Sequence, residues 1–153
     1  MTEVKHDKNV IQQRVEWARE GKFPQVIGRM PSGCLIVADT QPVQGYCQLL
    51  SDPIVPSLND LQGQERMQYL ADCVTIGDAL LKATGAARIN YETWCNQEPS
   101  LHTHIVPRYL TEADAVKTKP VCVGYAGIFA RPFDLEQDTA FMEEMRKLLD
   151  IQP

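Results

Sequence analysis

The stretch Asn96–Tyr109 reads NQEPSLHTHIVPRY. Its second half has the pattern of a strand. Residues two apart on a strand share a face, so His102 and His104 project together while Leu101, Thr103 and Ile105 take the other side. Its first half is polar, and Asn96, Gln97 and Ser100 bring side-chain donors in a loop that can fold over the two imidazoles.

Upstream, Ala87–Trp94 (ARINYETW) alternates as another strand. Before it lies the clearest element, a helix from about Gly63 to Ala83. Met67, Leu70, Cys73, Val74, Gly77, Leu80 and Leu81 recur there at three- and four-residue spacing, and Gly85 closes it. Cys34–Ala38 (CLIVA) reads as a strand, Asp39–Gly45 as a turn carrying Pro and Gly, and Tyr46–Leu50 as the partner strand of a hairpin. Residues from about Asn9 to Glu20 set Ile11, Val15 and Ala18 on one helical face, stopped by Gly21 and Pro24. Downstream, a final strand is predicted near Val121–Tyr125, then a helix capped by Asp138 with Phe141, Met145 and Leu148 on one face. The sum is an α+β fold: a mostly antiparallel sheet of about five strands, one long helix and shorter terminal helices. A doubly wound parallel sheet would need more strand–helix alternation. No repeat, low-complexity tract or linker interrupts the chain, which predicts one domain over 1–153, with its core at about 27–109 and a C-terminal strand and helix within 120–150.

Bulk composition narrows the function. At 153 residues and 44% apolar, the chain can bury a core without a disulfide or metal staple. Fifteen Lys and Arg stand against twenty Asp and Glu, and no basic run occurs, so a nucleic-acid polymer is not an expected partner. Met1 to Val10 is polar and charged, without the apolar core of a signal peptide, and no apolar stretch is long enough to span a bilayer. The five cysteines are odd in number and scattered, which reads as reduced thiols in a cytoplasmic protein.

Two imidazoles beside neutral donors suit an anionic ligand, and an unprotonated imidazole is a competent nucleophile near neutral pH. Two other readings of the residues stay open. The histidines can be hydrogen-bonded packing residues, or two ligands of a metal with Glu98 or Glu112 as the nearest third.

The longer context is more specific. R-I-N-Y (Arg88–Tyr91), the loop from Asn96, and L-H-T-H-I-V-P-R-Y (Leu101–Tyr109) resemble the histidine-triad superfamily of nucleotide hydrolases and transferases, in particular its bacterial diadenosine-polyphosphate-hydrolase-like branch. The resemblance runs from about Ile27 to Tyr109 and includes the S-G-C-L-I-V-A-D hairpin and the Gly45-Tyr46 turn. It implies an antiparallel sheet with one long helix, a homodimer, a small-molecule nucleotide substrate and no cofactor.

The family motif, His-φ-His-φ-His-φ-φ with φ apolar, puts its middle histidine on His102 and its last on His104. By resemblance, His102 is the nucleophile that becomes a nucleotidyl-histidine, and His104 helps bind phosphate oxygens or the leaving group. Asn96 or Gln97 falls where the family places an amide on the phosphates, Asp39 where an acidic residue holds the ribose hydroxyls, and Ile27 and Leu35 near the base. The pattern departs at Ser100, where the first triad histidine would stand, at Tyr46, where a histidine usually follows the hairpin glycine, and at Ser51-Asp52, which replace Pro-Lys. These departures imply rebuilt support behind the nucleophile, with Tyr46 and Ser100 bonded to each other. The carbonyl of residue 100 would still fix the His102 tautomer. The alternative they raise is a nucleotide-binding or sensing protein with little catalysis.

Overall fold

The computed structural model describes residues 7–153. Asn9 opens α1 (Val10–Arg19) with a reciprocal capping box: its side chain accepts from the Gln12 N–H, and the Gln12 side chain accepts from the Asn9 N–H. There follow β1 (Val26–Met30), β2 (Gly33–Val37), the two-residue β3 (Thr40–Gln41) and β4 (Cys47–Ser51). The chain continues through α2 (Gly63–Thr84), β5 (Arg88–Glu92) and β6 (His102–Arg108), then α3 (Val121–Gly124), β7 (Arg131–Pro132) and α4 (Leu135–Leu149). Gly85 ends α2 in the left-handed conformation, φ +67°, with its N–H on the Leu81 carbonyl.

Five strands form one sheet in the order β1-β2-β4-β6-β5, and every pairing is antiparallel. All five residues of β2 are buried, because both faces of the sheet are covered there. On one face, Leu35, Leu49, Leu101 and Ile105 pack against Tyr69, Ile76 and Leu80 of α2 and Met142 and Met145 of α4. On the other, Ile11 and Val15 of α1 sit on Cys34, Ile36 and Leu50. Helix α1 covers only part of that second face. The rest, where Gln48 and His104 stand opposite each other on β4 and β6, lines an open cleft.

Three local expectations are corrected. Residues Val121–Gly124 are one turn of helix, not a strand, and Val121 seats on Val43 and Val106. Helix α4 is capped by Asp134, whose side chain accepts from the Gln137 N–H. Asp138 is buried within the first turn, holding Arg131. The apolar spacing of α2 spans two faces. Cys73, Gly77 and Leu80 are buried, whereas Met67, Leu70, Val74 and Leu81 are exposed.

Candidate active site

The strand pleat puts His102 and His104 on the cleft face of β6, with Thr103 behind them bonded to the Tyr69 hydroxyl at 2.8 Å. The imidazoles lie edge to face with ring centres 5.1 Å apart. His102 Nδ1 is 2.7 Å from the Ser100 carbonyl. A carbonyl only accepts, so Nδ1 carries the proton and Nε2 keeps its lone pair.

The neighbouring ring is held in the opposite tautomer, by side chains. His104 Nδ1 is 2.5 Å from the Tyr46 hydroxyl and 3.1 Å from Gln48 Nε2. The Gln48 amide nitrogen can only donate, so His104 Nδ1 accepts and its Nε2 carries the proton. Burial raises the Tyr46 phenol well above its ordinary value, which keeps it a donor. Burial, and then the proximity of His102, push His104 down to about 4. At neutral pH His104 is therefore an uncharged ring with its one N–H on Nε2.

The cleft encloses about 710 Å³. Asn96 and Gln97 line it from the β5–β6 loop, and Asp39 from the end of β2. Asp39 is paired with Arg14 of α1, and its other oxygen accepts from Gln25 Nε2 at 3.0 Å. Ser100 does not turn its hydroxyl to the cleft. It is 1% exposed, and its Oγ accepts from Asn9 Nδ2 at 2.9 Å. The expected Tyr46–Ser100 bond is thus absent: Tyr46 reaches His104, and Ser100 is taken by α1. Ile27 and Leu35 are also away from the cleft, because both are wholly buried on the opposite face, against α2 and α4.

Glu98 lines the cleft and accepts from the Val10 N–H at 3.1 Å. Glu112 is engaged elsewhere, by the Arg108 guanidinium at 3.0 Å and the Tyr125 hydroxyl at 2.9 Å. Among the described residues no cluster of three or more His, Cys, Asp or Glu side chains is placed to hold a metal ion.

The sequence reading did not single out Gln48 or Arg14, which also line the cleft. Gln48 was findable, since it lies two positions after Tyr46 on a strand and so shares its face. Arg14 was findable only as the residue three after Ile11 on α1, which gives the helix face but not what the helix covers.

No protein-family model matches the chain, and no curated protein sequence matches it. Solved structures do. A histidine triad protein from Bradyrhizobium japonicum superposes with a TM-score of 0.71 at 21% identity, covering 81% of this chain and 89% of that one. The chain has the histidine-triad fold.

A histidine triad nucleotide-binding protein from Sulfolobus tokodaii gives 0.67 at 12% identity over 90% of this chain and 91% of its own. A diadenosine triphosphate hydrolase from Plasmodium falciparum gives 0.58 at 14% identity, over 83% of this chain and 75% of its own. In this chain His102 and His104 lie on β6, and the Ser100 carbonyl makes the expected contact with His102 Nδ1.

Proposed function

We propose that this chain is a nucleotide hydrolase or nucleotidyl transferase that cleaves a nucleoside phosphoanhydride or phosphoramidate, such as a diadenosine polyphosphate, through a covalent intermediate on His102. One observation carries the reading: adjacent imidazoles whose hydrogen bonds point them oppositely, so that a neutral His102 ring presents the lone pair of Nε2 while His104 presents its Nε2 N–H.

In the first step the His102 Nε2 lone pair attacks the α-phosphorus. The N–P bond forms as the bond from phosphorus to the leaving group breaks, and the electron pair leaves with that group. His104 Nε2–H, with the side chains of Asn96 and Gln97, stabilises the charge on the phosphoryl oxygens. Water or another acceptor then attacks phosphorus, and the N–P electrons return to Nε2. Asp39 holds the ribose hydroxyls. The five cysteines are free thiols, which suits a reducing, cytoplasmic setting, and no described helix is long and apolar enough to cross a membrane.

We also propose a homodimer. The exposed stripe of α2 and the free edge of β5 support it, because both are features that a second copy would cover.

The test is a panel of dinucleoside polyphosphates and nucleoside phosphoramidates assayed with wild type and His102→Ala. Wild type is expected to turn over at least one of them and to carry a nucleotidyl group in intact-mass spectra, with both signals lost in His102→Ala. Turnover that survives the substitution removes the nucleophile. Tight nucleotide binding with no product from wild type would make the protein a binder and not an enzyme.

A further inference from the structure

Helix α1 lies outside the Ile27–Tyr109 stretch that carries the sequence motif, yet it forms one wall of the cleft. It is fastened at both ends. At its start, Asn9 Nδ2 donates to Ser100 Oγ at 2.9 Å and the Val10 N–H donates to Glu98 at 3.1 Å. At its finish, Arg19 Nε donates to Asp52 at 3.0 Å. Between these ties Ile11 and Val15 are buried against the sheet, and Arg14, one turn after Val10, faces the cleft.

The Arg14 side chain is 15% exposed. Its guanidinium carbon lies 5.9 Å from the centre of the Phe23 ring, and one Nη donates to Asp39. A guanidinium has five N–H donors in a rigid fork, and Asp39 is its one acceptor among the described residues, so donors remain for a ligand. The Asp39 carboxylate likewise keeps capacity after accepting from Arg14 and Gln25.

The charge balance of the cleft makes this cation matter. Asp39, Glu92 and Glu98 all line it, and Arg14 is the only lysine or arginine among the described residues that do. Both imidazoles there are hydrogen-bonded, and His104 is held uncharged. A phosphoryl group entering such a cleft meets more carboxylates than cations. The favourable full charge available to it is on α1.

We propose that Arg14 is a phosphate-binding residue, held over the cleft by Asp39 and Phe23 so that its free N–H groups grip the phosphoryl oxygens of a nucleotide. This rests on the nucleotide reading above. Asp39 then has two tasks: it orients Arg14 and accepts from the ribose.

The test is calorimetry of the full chain with AMP and GMP beside adenosine and guanosine, for wild type, Arg14→Gln and Arg14→Lys. A charge-assisted hydrogen bond of ordinary strength predicts that Arg14→Gln weakens the nucleotide by ~10- to 100-fold and leaves the nucleoside unchanged. Arg14→Lys should recover part of the loss. Equal weakening of nucleotide and nucleoside would make Arg14 a structural tie of α1 and overturn the inference alone, as would no weakening of either. Wild type that binds none of the four ligands would overturn the nucleotide reading, and the inference with it.

Discussion

At the residue scale, the support for His102 and His104 comes from groups of different kinds. A main-chain carbonyl sets the His102 tautomer, and no side-chain substitution removes it. Side chains set His104, through Tyr46 and Gln48. The arrangement leaves Gln48 Oε1 buried without a hydrogen-bond partner, a local cost accepted in order to aim the amide nitrogen at His104. The depressed basicity of His104 has a consequence for stability. A folded imidazole at about 4 is harder to protonate than an unfolded one at ~6.5, so the unfolded chain binds the extra proton between those values. This contribution is complete above about pH 6.5 and declines as the pH falls toward 4. Urea denaturation from pH 7 to pH 4.5 should show wild type losing on the order of 2 kcal/mol by this route, and His104→Asn lacking that component. Parallel pH profiles for the two proteins would show that His104 protonates as freely in the fold as out of it.

At the element scale, α1 both builds and limits the cleft, and Asn9 is its hinge pin. One side chain caps the helix through the Gln12 N–H and donates to Ser100, the residue whose carbonyl holds His102. Asn9→Ala should cost ~1 kcal/mol from the cap alone, read as a lower midpoint in thermal unfolding. Asn9→Ser keeps a capping oxygen and should recover most of that midpoint. If Asn9→Ala melts with wild type, the cap contributes nothing.

This same element shows what the sequence could and could not disclose. The helix over Ile11 and Val15 was legible from spacing, as were α2 and the alternation of His102 and His104, because each pattern repeats enough to declare its period. That α1 would lie across the histidine face was not legible. The contact joins Asn9 to Ser100, which are 91 positions apart, and no local pattern encodes it. Short elements failed for the converse reason. A one-turn helix at Val121–Gly124 and a two-residue pairing of β3 with β7 hold too few residues to express any period. Ile27 and Leu35 were misplaced because an apolar residue in a strand declares that it is buried, not on which face.

At the scale of the whole molecule, the sheet order leaves β5 at an edge, paired only with β6. Beside that edge, α2 carries Met67, Leu70, Val74 and Leu81 at heptad-like spacing, each more than a third exposed. Tyr91 of β5 continues the patch across Gly77, where any Cβ would stand 1.9 Å from the Tyr91 hydroxyl. A solvated helix face is ordinarily charged, whereas this one is an apolar stripe continuous with an unpaired strand. A second copy related by a two-fold axis meets both needs at once: its β5 extends the ladder and its α2 covers the stripe. Val74 sits near the middle of the stripe and is 53% exposed, so a glutamate there can be solvated in the isolated chain but would be buried in the proposed pair. Sedimentation velocity should therefore give twice the chain mass for wild type and the single-chain mass for Val74→Glu, with the circular dichroism of the two alike. Wild type sedimenting at the single-chain mass would refute the pairing and leave the stripe without its second copy.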